Sequence, residues 1–151
     1  MLGGLQGDFV PGGLAGDLAR GVMRAFGDMG HSCIAELPLG NGRRVDVMAL
    51  DRGGLLSVVE VKTSLADYRA DSKWREYLPW CDAFYFAVAE GFDRSVLPEG
   101  VGIMVADRYG AAIVAPSPEF RMAPARRKAL TLRFARAAAR RLMRVDGPES
   151  L

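Results

Sequence analysis

The chain is 151 residues long, with 50% hydrophobic and 25% charged residues and a formal net charge of +2. That is the length of one domain able to bury roughly two-thirds of its unfolded surface, and it is too apolar for a disordered chain. No apolar run approaches the ~20 residues of a membrane span, and the first residues lack the basic start and apolar middle of a signal peptide, so a cytoplasmic protein without a membrane partner is expected.

Cys33 and Cys81 have no C-x-x-C or Cys/His neighbours and are expected as buried free thiols. Charge is polarised along the chain: residues 1–120 carry 11 Lys/Arg against 16 Asp/Glu, a net of −5, and residues 121–151 carry 9 against 2, a net of +7. Such a basic tail fits a polyanion, nucleic acid ahead of membrane, or pairs with the acidic body of its own chain. The basic set holds 17 Arg and only Lys62, Lys73 and Lys128. A lysine kept in that background is a candidate for a role that Arg cannot fill, because its ammonium is a compact point charge with an adjustable pKa.

Residues 1–13, Gly-rich and ending in Pro-Gly-Gly, read as a flexible arm, followed by one domain over 14–144 and a short tail over 145–151. From Leu14 the apolar positions Leu18, Val22, Phe26 and Met29 repeat at helical spacing up to Gly30. Three strand-like runs follow, 31–39, 43–50 and 55–62, joined by short Gly-containing connections that predict an antiparallel meander. Ser64 opens a second helix, with Asp67 at the capping-box position, that Pro79 closes. The run 82–89 is apolar on both faces and is expected to be a central, parallel strand reached by the helical crossover. A hairpin of two strands (101–106 and 111–115) and a basic helix over 123–144 complete the chain.

Chemistry concentrates on the second and third strands. Glu60 and Lys62 share one strand face, and Val59 and Val61 take the other. If residues 52–54 form the turn, Asp46 lies directly opposite Glu60, with Cβ atoms about 5 Å apart. Two opposed carboxylates in an apolar sheet are destabilising unless a cation compensates, and oxygen ligands suit a hard ion such as Mg²⁺ (or Mn²⁺), completed by water and substrate phosphate. The bland alternative is an exposed ladder of cross-strand ion pairs.

Asp…Glu-x-Lys in this strand-turn-strand placement resembles the PD-(D/E)XK nuclease superfamily, and the run from Gly42 to Val88 (GRRVDVMALD, VVEVKTSLADYRADSKWREYLPWCDAFYFAV) resembles the MmcB-like DNA repair proteins, a bacterial family assigned to it. The resemblance implies a restriction-endonuclease-like α/β fold: a mixed β-sheet of helix, three-stranded meander, crossover helix and further strands, flanked by helices. It implies a Mg²⁺-dependent deoxyribonuclease, an endonuclease acting in DNA repair, and leaves room for a homodimer. Asp46 and Glu60 become metal ligands with the main-chain carbonyl of Val61 as a third, and Lys62 orients or acidifies the attacking water. The superfamily's proline before the first Asp is replaced by Val45. Glu36, on the neighbouring strand, is a further ligand, a base or a solvated strand residue. The alternative function is a non-catalytic DNA-binding accessory factor that keeps the nuclease-like fold.

Further phosphate contacts are expected from Arg43 and Arg44 at the strand entrance and from Lys73 on the second helix. On that helix Asp67 caps, Asp71 is available to Arg75 at i,i+4, and Trp74, Tyr77, Leu78 and Trp80 are core. On the last helix Leu130, Phe134, Ala137, Ala138 and Leu142 make one stripe. They leave Arg126, Arg133, Arg136, Arg140, Arg141 and Arg144 around the rest as a phosphate-tracking surface. His31, the sole histidine, has no nucleophile context.

Overall fold

A computed structural model describes residues 10–146. It holds a six-stranded mixed sheet whose strands lie side by side in chain order: β1 (Ser32–Pro38), β2 (Arg44–Leu50), β3 (Leu56–Val61), β4 (Ala83–Val88), β5 (Gly102–Asp107) and β6 (Gly110–Ala115). β1–β2–β3 form the antiparallel meander, β4 runs parallel to both β3 and β5, and β6 returns antiparallel to β5. Among the described residues three α-helices flank the sheet, α1 (Gly13–Asp28), α2 (Leu65–Ala70) and α3 (Pro124–Asp146), with 3₁₀ helices over Trp74–Trp80 and Arg94–Val96.

α1 ends where the sequence predicts. Gly30 takes φ +86°, His31 N–H donates to Phe26 O at 2.9 Å and Gly30 N–H to Gly27 O at 3.0 Å, a closing pattern that suits glycine because it needs left-handed backbone. Leu18, Val22 and Phe26 press on Val47, Val59, Val61, Tyr85 and Met104 on one face of the sheet. The close approach is set by Gly21, where a Cβ would stand 1.8 Å from Asp107 O. The opposite face carries the second core, in which Trp74 stacks on Phe84 and meets Phe86 edge-on, covered by Tyr77, Leu130 and Phe134. Arg127 at the start of α3 clamps that layer: its guanidinium grips the Asp82 carboxylate at 2.5 Å through both terminal nitrogens, and Asp82 accepts Leu56 N–H at 2.8 Å.

Register at the meander follows from the turn. Asp51 Oδ1 accepts from Gly53 N and Leu55 N at 2.8 Å, Gly54 takes φ +94°, and residues 52–54 form the connection, pairing Val47 with Val59 and Leu50 with Leu56.

Three expectations are corrected. The second helix is not continuous to Pro79: α2 stops at Ala70, because Asp71 adopts extended backbone and turns its carboxylate back to accept Lys73 N–H at 3.0 Å, and the chain resumes as the 3₁₀ turn. The flexible arm over 1–13 lies outside the described residues as far as residue 9, but Val10 is buried and Pro11 lines a cavity. On α3 the inward stripe is Leu130, Phe134 and Ala137, while Leu142 is 55% exposed and Ala138 is exposed. The tail over 147–151 lies outside the described residues. Among those residues no helix is long and apolar enough to cross a membrane, and both cysteines are free, Cys81 buried and Cys33 half-buried.

Candidate metal and phosphate site

The meander frays at one point, and the candidate residues sit there. β1 pairs with β2 as Ala35↔Val47 and Leu37↔Val45, which places Glu36 opposite Asp46; β2 pairs with β3 as far as Val47↔Val59, and the same register brings Asp46 opposite Glu60. Glu36, Asp46 and Glu60 thus make a row across three adjacent strands. At this row the alternation of faces breaks. Ala35 and Val47 belong to the core under α1, whereas Leu37 and Val45, two residues on, belong to the opposite core. The switch is made by Glu36, whose φ of +53° is a left-handed conformation that costs a non-glycine residue roughly 1 kcal/mol or more.

Side chains replace the ladder where β2 leaves β3. Val61 N–H donates to Asp46 Oδ2 at 2.8 Å, and Asp46 N–H to Glu60 Oε1 at a long 3.4 Å. The carboxylates face a cavity of about 250 Å³ lined by Glu36, Asp46, Glu60, Val61, Lys62 and Asp67, with Pro11, Ala15 and Ala19 as its apolar wall. A larger groove of about 930 Å³ between the start of α1 and the β5–β6 hairpin is lined by Asp17, Glu90, Arg94, Asp107 and Arg108, and holds none of the candidate residues.

Electrostatically, the row is short of positive charge. Burial pushes the Asp46 carboxyl up from 3.8 to about 6 against the favourable Val61 N–H, and the Glu36 charge adds to the rise. Glu60 is held well above its ordinary value, by burial first and by Asp46 second. The nearby cations pair with carboxylates other than Asp46 and Glu60. Arg44 Nε stands 2.6 Å from Glu36 Oε2, an ion pair whose N–H is not aimed along the contact, so that oxygen lacks an aligned donor. Lys62 Nζ donates to Asp71 Oδ2 at 2.9 Å. Burial, the largest single influence, pulls the Lys62 ammonium's pKa down, but this bond together with the charges of Asp71, Glu60 and Asp67 holds the value above the ordinary one. Asp46 and Glu60 have no ion-pair partner among the described residues.

This donor set fits a divalent cation. No three Asp, Glu, His or Cys side chains among the described residues form a ready metal cage. An ion held by Asp46 and Glu60 would draw its other ligands from main chain, including the Val61 carbonyl, and from water and phosphate, the usual manner for Mg²⁺.

The other predicted residues divide. Arg43 is tied to Glu76 Oε2 at 2.5 Å, Arg44 is two-thirds exposed beside the cavity, and the Lys73 side chain is exposed. Arg133 is exposed and lies against Gly40, and Arg136 and Arg140 are exposed. At 100° per residue Arg126, Arg133, Arg136, Arg140 and Arg144 share one flank of α3. Arg141 is the correction: it is half-buried and turned inward, donating to the carbonyl oxygens of Ala35 and Glu36. β1 is an edge strand whose outward carbonyls have no ladder partner, and a guanidinium satisfies two of them at once. Expected surface pairing of Asp71 with Arg75 is absent, since Arg75 lies over the Trp74 ring at 4.4 Å. Asp67 has a second place beyond the cap that its sequence position predicts. It does accept Thr63 N–H at 2.9 Å, but it lines the cavity as well. His31 packs at a tilt against Phe26, with ring centroids 5.0 Å apart, away from the cavity.

Fold and site together define a mixed α/β protein with a carboxylate-and-lysine cavity where a β-meander opens. The family profile of the MmcB-like DNA repair proteins matches residues 13–149, and the chain belongs to that family. Its sequence is 46% identical to that of a protein of unknown function from Silicibacter pomeroyi; the likeness covers 89% of this chain and 92% of that one, with a TM-score of 0.85. Comparison with curated proteins finds no match.

Proposed function

We propose that this DNA repair family member is a metal-dependent deoxyribonuclease of the PD-(D/E)XK type, acting in the cytoplasm on DNA phosphodiester bonds. The observation that carries the reading is the buried Asp46–Glu60 pair, short of compensating charge, with Lys62 in the same cavity. Asp46 and Glu60, with the Val61 carbonyl, would hold Mg²⁺ or Mn²⁺. When bound, the ion supplies charge neutralisation at the phosphoryl oxygens.

The chain's own residues do the rest. Lys62 presents an ammonium to a scissile phosphate oxygen or to the attacking water, and the apolar wall of Ala15 and Ala19 keeps the cavity dry enough for these charges to act strongly. Arg44 at the mouth and the arginine flank of α3 (Arg133, Arg136, Arg140) hold the polyanion by its phosphates, with Arg43 and Lys73 as outer contacts. Glu36 would be available as a further ligand once Arg44 turns to phosphate.

The test is incubation of branched, single-stranded and damaged DNA with Mg²⁺ or Mn²⁺. Cleavage lost in both Asp46→Ala and Lys62→Ala is expected. Cleavage unchanged in either variant places the activity elsewhere, and binding without cleavage of any substrate makes the protein a DNA-binding accessory factor with a nuclease-like fold.

A further inference from the structure

The residue that decides where the Lys62 ammonium sits is Asp71, on the broken segment after α2. Lys62 is almost fully buried, its side chain 7% exposed, and among the described residues Asp71 Oδ2, at 2.9 Å, is the one hydrogen-bond partner of its ammonium. An ammonium has three N–H donors. One is spent on Asp71, and two remain for the cavity that Lys62 lines and Asp71 does not. Asp71 therefore grips the lysine from behind.

Its own carboxylate is fixed. Oδ1 accepts Lys73 N–H at 3.0 Å, the turn that ends α2, and the backbone at Asp71 is extended rather than helical. Three residues on, Trp74 is packed between Phe84 and Phe86, so the segment bearing Asp71 is nailed to the core by an aromatic stack. A buried lysine on a four-carbon stem has several rotamers; a carboxylate anchored to a turn and a core selects one of them. The break between α2 and the 3₁₀ turn is what carries Asp71 to the lysine.

Resting on the nuclease reading above, we propose that Asp71 is a positioning residue: it holds Lys62 with two ammonium hydrogens aimed at the scissile phosphate while its carboxylate stays out of the cation site. Glu60 and Asp46 are thereby left to the cation.

The experiment uses the full chain labelled with side-chain ¹⁵N-lysine, which gives only three ammonium signals, from Lys62, Lys73 and Lys128. In wild type the Lys62 signal, assigned by its loss in Lys62→Arg, is expected to persist at neutral pH because the ammonium is buried and hydrogen-bonded, while the two surface lysines exchange away. Asp71→Asn keeps an acceptor for Lys73 N–H and removes the charge. In that variant the Lys62 signal is expected to broaden or vanish, kcat of Mn²⁺-supported DNA cleavage to fall about 10–100-fold at unchanged KM, and calorimetric Mn²⁺ affinity to stay within a few-fold of wild type. Asp71→Glu is expected to recover part of both the signal and kcat.

An unchanged Lys62 signal in Asp71→Asn overturns the proposal, as does a loss confined to KM or to Mn²⁺ affinity. Should wild type cleave nothing, the nuclease reading fails on its own account. The lysine signal then still decides whether Asp71 positions Lys62.

Discussion

Replacing Asp46 by Asn should stabilise the metal-free protein while abolishing its affinity for a cation. Ionising a buried carboxyl whose pKa has risen from 3.8 to about 6 costs, at 1.36 kcal/mol per decade, about 3 kcal/mol. The sign follows from proton binding. Below about pH 4 the carboxyl is protonated in both folded and unfolded chains and contributes nothing. Between about pH 4 and 6 the unfolded chain releases its proton first, so stability falls as pH rises. Above about pH 6 the full penalty is present. An asparagine carries no such penalty, and its side-chain oxygen can still accept Val61 N–H. In EDTA at pH 8 the Asp46→Asn chain should therefore be about 3 kcal/mol more stable in urea titrations, or melt about 6–12 °C higher, with the advantage vanishing near pH 4. Adding Mn²⁺ should raise the wild-type melting point by mass action and leave the variant unmoved. A variant equally or less stable at pH 8, or one whose advantage does not depend on pH, would refute the charge-deficit account of the cavity.

Arg141→Ala, which strips two carbonyls of β1 of their donor, should cost about 1.5–3 kcal/mol in urea titration and weaken Mn²⁺ binding, since Glu36 loses its brace. Arg127→Gln should cost a similar amount and steepen acid unfolding less than in wild type. Burial pushes the Asp82 carboxyl up, but the Arg127 bond and charge together with the Leu56 and Met122 N–H donors hold it below its ordinary range, and that stabilisation is lost as pH falls through the acid range. Gly21→Ala should destabilise by about 3 kcal/mol or more, because its Cβ meets the backbone of the β5–β6 turn. If α3 tracks phosphates, replacing Arg136 and Arg140 by Gln should reduce the salt slope of duplex binding by about 1 for each arginine removed, measured by fluorescence anisotropy. An unchanged slope would take α3 out of the interface.

Element order and strand boundaries were legible because each rests on local chemistry: Gly30 for the end of α1, Asp51 with Gly53 and Gly54 for the meander turn, doubly apolar Phe84–Val88 for a central strand. The turn alone gave the Asp46–Glu60 register. What the sequence concealed depends on tertiary partners. V-D-V at 45–47 reads as unbroken alternation, yet the backbone switches faces there, because Glu36 adopts a conformation that residue statistics assign to glycine or asparagine. Asp71 looks like one half of a surface helix pair, since nothing local says that a buried ammonium nine residues earlier will claim it. Arg141 is indistinguishable in the helical pattern from its outward neighbours. Only an edge strand with unpaired carbonyls draws it in.

The brace supplied by Arg141 has a consequence for the order in which the molecule comes into being. All six strands precede α3 in the chain, so a growing polypeptide can pair its sheet before the guanidinium that secures Glu36 has been synthesised. Until then the acidic row lacks the lock on its most contorted member. Competence of the cavity is thus deferred until α3 has been made, and a product terminated before it would possess every acidic side chain of the site without the means to hold them in place.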